Sequence, residues 1–152
     1  MRDFLSGAYT YFSPLDLPLP WNDEQVGKCQ MKDPPDKLEI LVVDDEAESR
    51  EALAELLLNE GYAVVCAENG RRALDCLTGM TPALIILDLM MPVMSGWEFL
   101  ARQKRDARMQ SVPVVVVTGS RLEHDVEADA VVHKPIDFRS FMRVVKENCL
   151  QP

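Results

Sequence analysis

The stretch ILVVDDEAES, Ile40 to Ser49, carries four apolar residues of strand-forming type directly into two adjacent carboxylates, Asp44 and Asp45, with Glu46 behind them. Like charges repel, so acids gathered at the end of a greasy segment call for something that compensates them. Leu38 to Val43 reads as a short apolar strand. After it, Glu46 to Glu60 puts Ala47, Leu53, Ala54, Leu57 and Leu58 broadly on one helical face, and Asn59-Glu60-Gly61 supplies a stop.

The same alternation continues along the chain. Tyr62 to Ala67 is a second strand candidate, Asn69-Gly70 a turn, and Arg71 to Leu77 a second helix. Leu84 to Leu87 gives a third strand, Gly96 to about Ala107 a third helix, and Val114 to Val117 a fourth strand after Pro113. Ala130 to Val132 is a short fifth strand, and Asp137 caps a last helix carrying Phe138, Phe141, Met142 and Val145. Strands that are apolar throughout, each followed by a helix, indicate an α/β fold: a doubly wound five-stranded parallel sheet covered on both faces.

At 152 residues the chain has room for one domain with a proper core. Its net charge of -9 and lack of clustered Lys and Arg argue against a nucleic-acid surface. The four cysteines, Cys29, Cys66, Cys76 and Cys149, form no CxxC pair and are expected as reduced thiols, mostly buried. No continuous apolar run resembles a signal peptide or a membrane span, so no membrane contact and a cytoplasmic location are expected.

Ligands of open parallel sheets sit beyond the carboxyl ends of the strands. Those ends hold Asp44 and Asp45 after the first strand, Asp88 after the third, Thr118 after the fourth and Lys134 just beyond the fifth. Three carboxylates on one rim favour a hard cation with oxygen ligands, Mg²⁺ before all others, with Mn²⁺ as a substitute. His124 and His133 have no metal-ligand spacing to the cysteines, which disfavours zinc. Lys134 suits pairing with one of the acids or with an anion beside the metal, and Thr118 a hydrogen bond to that anion. Asp88 is then the natural attachment point for a phosphoryl group.

These residues lie in the segments VVDDE, LIILDLMMPVMSG, VVVVTG and HKP, and from Leu38 to about Cys149 the chain resembles the receiver domain of bacterial two-component response regulators. The resemblance implies a flavodoxin-like strand order of 2-1-3-4-5 and phosphorylation at Asp88. It implies that Asp45 binds Mg²⁺ directly, that Asp44 helps place it, and that the Met90 backbone carbonyl supplies a further ligand. Lys134 and Thr118 contact the phosphoryl oxygens in that scheme, and Pro135 follows a cis bond. The implied donor is a sensor histidine kinase or phosphotransfer protein, and the phosphoryl group is later lost to water. Met90 and Ser120 flank the reaction position and, with Glu46, are expected modulators.

Two departures from the family pattern fall together. Only sixteen positions separate Thr118 from Lys134, fewer than is usual, so the fourth helix of the fold must be shortened or replaced by a loop, with Leu122, Val126 and Ala128 as its apolar anchors. The family's switch aromatic corresponds to Val131, which rules out coupling through an inward-turning ring. Gly119 also stands where a small residue, often Ala, is usual, with some loss of local stiffness.

Residues 1 to 36 form an irregular extension with five prolines and half of the chain's ten aromatics, and 37 to 150 form the receiver. The extension is expected to cover the shortened region or to join two subunits. The functional expectation is a phosphorylatable receiver signalling through contacts with a downstream protein. The alternative is a receiver-like scaffold that binds partners without phosphorylation. A nucleotide enzyme is disfavoured because neither GxGxxG nor GxxxxGK[ST] occurs.

Overall fold

The computed structural model describes residues 37–122 and 125–149. The expectations for residues 1 to 36 lie outside them. The elements are β1 (Glu39–Val43), α1 (Ala47–Asn59), β2 (Ala63–Ala67), α2 (Gly70–Leu77), β3 (Leu84–Leu87), α3 (Gly96–Arg105), β4 (Val114–Thr118), β5 (Ala130–His133) and α4 (Phe138–Asn148). The five strands make one parallel sheet in the order β2-β1-β3-β4-β5.

Alternate residues of the central strands feed two apolar layers, as the two-residue period of a strand requires. Leu41, Val43, Ile85, Leu87, Val114 and Val116 pack with Phe99 and Leu100 of α3 and Ala73 and Leu77 of α2. Ile40, Val42, Leu84, Ile86, Val115 and Val117 pack with Leu53 and Leu57 of α1 and with Phe141, Met142 and Val145 of α4. Both faces being covered, β3 and β4 are buried at every position, which is why they read as unbroken apolar runs.

Between β4 and β5 the described residues contain no helix. Of the two alternatives, short helix or loop, the described residues have the loop. Leu122, Val126 and Ala128 lie against the α2–α3 layer as the anchors expected of them. The loop's end is clasped to β4, because the Asp129 carboxylate accepts the Val114 N–H at 2.7 Å while the Asp129 N–H donates to the Val114 carbonyl at 2.9 Å.

Three sequence expectations need correction. Ala47 is exposed, and the buried stripe of α1 is Arg50, Leu53, Ala54 and Leu57. Phe138 is exposed at the first turn of α4, outside the layer that Phe141 enters. Cys149 is buried, but Cys66 and Cys76 are only half-buried. Asn69, read as part of a turn, caps α2 by accepting the Arg72 N–H, and Asp137 caps α4 as expected. Among the described residues no helix is long and apolar enough to cross a membrane.

Candidate functional site

The strand order reverses at β1, which pairs with β2 on one side and β3 on the other, so the crevice of the sheet opens at the ends of β1 and β3. Val43 is in register with Leu87, which sets Asp44 and Asp88 side by side. Backbone bonds carry the sheet ladder one residue further: Asp44 N–H to the Ala67 carbonyl at 3.1 Å, Asp88 N–H to the Val43 carbonyl at 2.8 Å, and Lys134 N–H to the Thr118 carbonyl at 2.9 Å. Asp44, Asp88 and Lys134 are thus tied to the sheet by main-chain hydrogen bonds.

Asp44, Asp45 and Asp88 each offer a carboxylate oxygen, and the three oxygens lie within 4.8 Å of one another. Their environments differ. Asp44 is 1% exposed, Asp88 is half-buried and Asp45 is exposed. The Asp44 carboxylate accepts the Glu46 N–H at 2.9 Å, the Ser49 hydroxyl at 2.7 Å and the Lys134 ammonium at 3.1 Å. Glu46, at the N-cap of α1, makes no side-chain cap; Asp44 takes up its N–H instead. The acid that Lys134 pairs with is Asp44.

Burial is the main reason that the Asp88 carboxyl is pushed above its ordinary value, with the nearby Asp44 charge adding to it. The Met90 N–H, donating to Asp88 Oδ1 at 3.2 Å, and the charge of Lys134 act the other way. A cation among the three oxygens would relieve both the burial cost and the repulsion. All-oxygen donors with one exposed member suit Mg²⁺, which binds through few carboxylates and keeps waters. The residues present therefore fit the metal.

Thr118 is fully buried, and its Oγ1 accepts the Ser120 N–H at 3.2 Å. Met90 is 61% exposed, Ser120 is exposed, and the side chain of Glu46 stands outside the carboxylate triad. The Lys134–Pro135 bond is cis, as the resemblance implied. Val131 is exposed on the edge strand.

Two features escaped the sequence reading. A Cβ on Gly96 would lie 2.3 Å from the Asp88 carbonyl oxygen and 2.7 Å from Leu89 Cα, so only glycine lets α3 start against the backbone of Asp88. The DLMMPVMSG segment marks the site, but that approach is invisible without coordinates. Within the same turn Val93 has φ of 67°, a left-handed conformation that β-branched residues rarely take. The turn is held around it by Gly96 N–H on the Leu89 carbonyl and Gly70 N–H on the Met94 carbonyl.

Residues 40–146 match the family described as response regulator receiver domain. The chain belongs to that family. Among curated proteins, this receiver is 39% identical over 107 residues to response regulator Rre1 of Synechocystis, covering 66% of this chain and 46% of that protein. It is 32% identical over 120 residues to an uncharacterised protein of Leptolyngbya boryana, covering 75% and 92%. Among solved structures it resembles response regulator TrrA from Thermotoga maritima, in complex with Mg²⁺-BeF, at a TM-score of 0.66 and 34% identity, covering 72% of this receiver and 97% of TrrA. The receiver spans about half the length of several curated relatives that it matches.

Proposed function

We propose that this receiver takes a phosphoryl group onto Asp88 from the phosphohistidine of a sensor kinase or phosphotransfer protein, in a Mg²⁺-dependent reaction. The observation that carries the reading is the triad of carboxylate oxygens within 4.8 Å, faced by Lys134 and bordered by Thr118 on the same rim. Asp45, Asp88 and the Met90 carbonyl would hold the metal directly, and Asp44 would help to place it. When bound, Mg²⁺ supplies positive charge to the phosphoryl oxygens.

An Asp88 oxygen attacks phosphorus as the P–N bond to the imidazole breaks. The departing nitrogen keeps the electron pair, and with the other ring nitrogen protonated the donor leaves as neutral histidine. Lys134 exchanges Asp44 for the new phosphoryl oxygens, and the Thr118 hydroxyl donates to one of them. Water later attacks the same phosphorus, releasing phosphate and restoring the carboxylate. Met90 and Ser120, exposed beside Asp88 and Thr118, govern how that water enters. The test is intact mass after incubation with acetyl phosphate and Mg²⁺: wild type gains one phosphoryl group and Asp88→Asn gains none. No uptake by wild type would favour the scaffold reading instead.

The downstream contact belongs to the β5 side, where a loop replaces a helix and Val131 and Phe138 are exposed. The five aromatics of residues 1 to 36, which lie outside the described residues, would in this proposal cover it, within one chain or across a homodimer. Deleting that extension should lower stability or change the oligomeric state; a deletion that altered neither would remove this part of the proposal.

A further inference from the structure

Arg50 is the one buried charged residue of α1, and the chemistry above leaves it without a task. It is only 5% exposed, on the helical stripe that continues through Leu53, Ala54 and Leu57. Its Nη1 donates to the Asp44 backbone carbonyl at 2.6 Å, and its buried Nε has no partner. Burying a guanidinium is unfavourable unless hydrogen bonds and charge offset it, and here one nitrogen is left unsatisfied. Leucine or methionine would fill the stripe without that cost. What arginine adds is a donor at one atom, the Asp44 carbonyl oxygen.

That carbonyl belongs to the peptide joining Asp44 to Asp45. The Asp44 carboxylate is already held by Glu46 N–H, Ser49 and Lys134, so with Arg50 on the carbonyl the residue is gripped at both ends. These bonds resist rotation of that peptide, and the Asp45 carboxylate beyond it offers an oxygen within 4.8 Å of those of Asp44 and Asp88. We propose that Arg50 is a positioning residue for the cation site, fixing the Asp44–Asp45 peptide so that the exposed Asp45 carboxylate stays within reach of Asp88.

This inference rests on the Mg²⁺ reading of the rim, and its sign separates it from plain electrostatics. A buried cation beside a metal site repels Mg²⁺, so charge alone predicts tighter binding when Arg50 is removed. Positioning predicts the opposite.

The experiment is a calorimetric Mg²⁺ titration of the metal-stripped full chain at fixed ionic strength, with the thermal midpoint in EDTA measured separately. Arg50→Met should raise the Mg²⁺ Kd about tenfold, the lower end of what losing an outer partner of a metal ligand costs. Arg50→Lys keeps the charge but replaces the planar fork with a single-point donor on a flexible stem, and should raise Kd by less. A Kd for Arg50→Met equal to or below that of wild type overturns the proposal, whatever the thermal midpoint does. Should that variant not fold, Arg50→Lys decides, and an unchanged Kd there overturns it. Wild type that binds no Mg²⁺ would sink the cation reading itself, a different failure from wild-type binding that the variants leave untouched.

Discussion

The β1–β3 crevice and the β4–β5 edge are built from equally apolar strands but are held to different degrees. At the crevice, four of the five β1 residues and all of β3 are buried, main-chain bonds continue past the strand ends, and Asp44 is fastened at both its carboxylate and its carbonyl. At the edge, β5 has no fully buried residue, and a loop does the work of a helix with three half-buried anchors and the Asp129 clasp. The difference teaches where each task can sit. Chemistry that needs oxygens placed to a few tenths of an ångström sits where several elements over-determine the backbone. Communication with a partner suits the side where few contacts must be given up to rearrange.

The sharpest way to break this contrast is a matched pair of leucine truncations. Leu87→Ala, at the fully buried end of β3, should cost about 3 kcal/mol, whereas Leu122→Ala, on the half-buried loop, should cost about 1 kcal/mol. Urea unfolding measures both. Equal costs would mean that the loop is packed as firmly as the crevice.

A second prediction concerns charge at the crevice. The Asp88 pKa is raised in the fold, chiefly by burial, so the folded protein holds that proton more tightly than the unfolded chain does. Stability from this group is then present at low pH and lost as pH rises from the ordinary carboxylate range through the raised value. In EDTA, Asp88→Asn should therefore melt above wild type at neutral pH, with the gap closing as pH falls toward about 4. A constant gap from pH 3 to 8 would show that the ionised carboxylate is not the source.

The smallest expected effect is at the junction of the two regions. A Cβ on Gly119 would meet nothing nearer than 4.0 Å, and the residue does not need a positive φ, so Gly119→Ala should stabilise by roughly 0.5 kcal/mol through the unfolded chain. Destabilisation would mean that the junction needs glycine's freedom.

Strand identities and the rim were legible because parallel strands are apolar at every position and their ends carry the polar residues. LIIL before Asp88 and VVVVT ending in Thr118 can hardly be read otherwise. Arg50 was not legible, because a charge on an apolar stripe is ordinarily a solvated edge of the helix, and only coordinates reveal the carbonyl that accepts its hydrogen bond. Phe138 misled for the opposite reason: its spacing fits the buried face, but it is the first residue of α4 and stands exposed. The choice between short helix and loop after Thr118 stayed open because three anchors in eleven residues satisfy either.

The hydrogen of Gly96 is all that separates the first turn of α3 from the main chain of Asp88. Strand end and helix start therefore work like two gears cut without backlash. With no room left between them, a shift of the Asp88 main chain toward α3 has to carry the start of the helix with it.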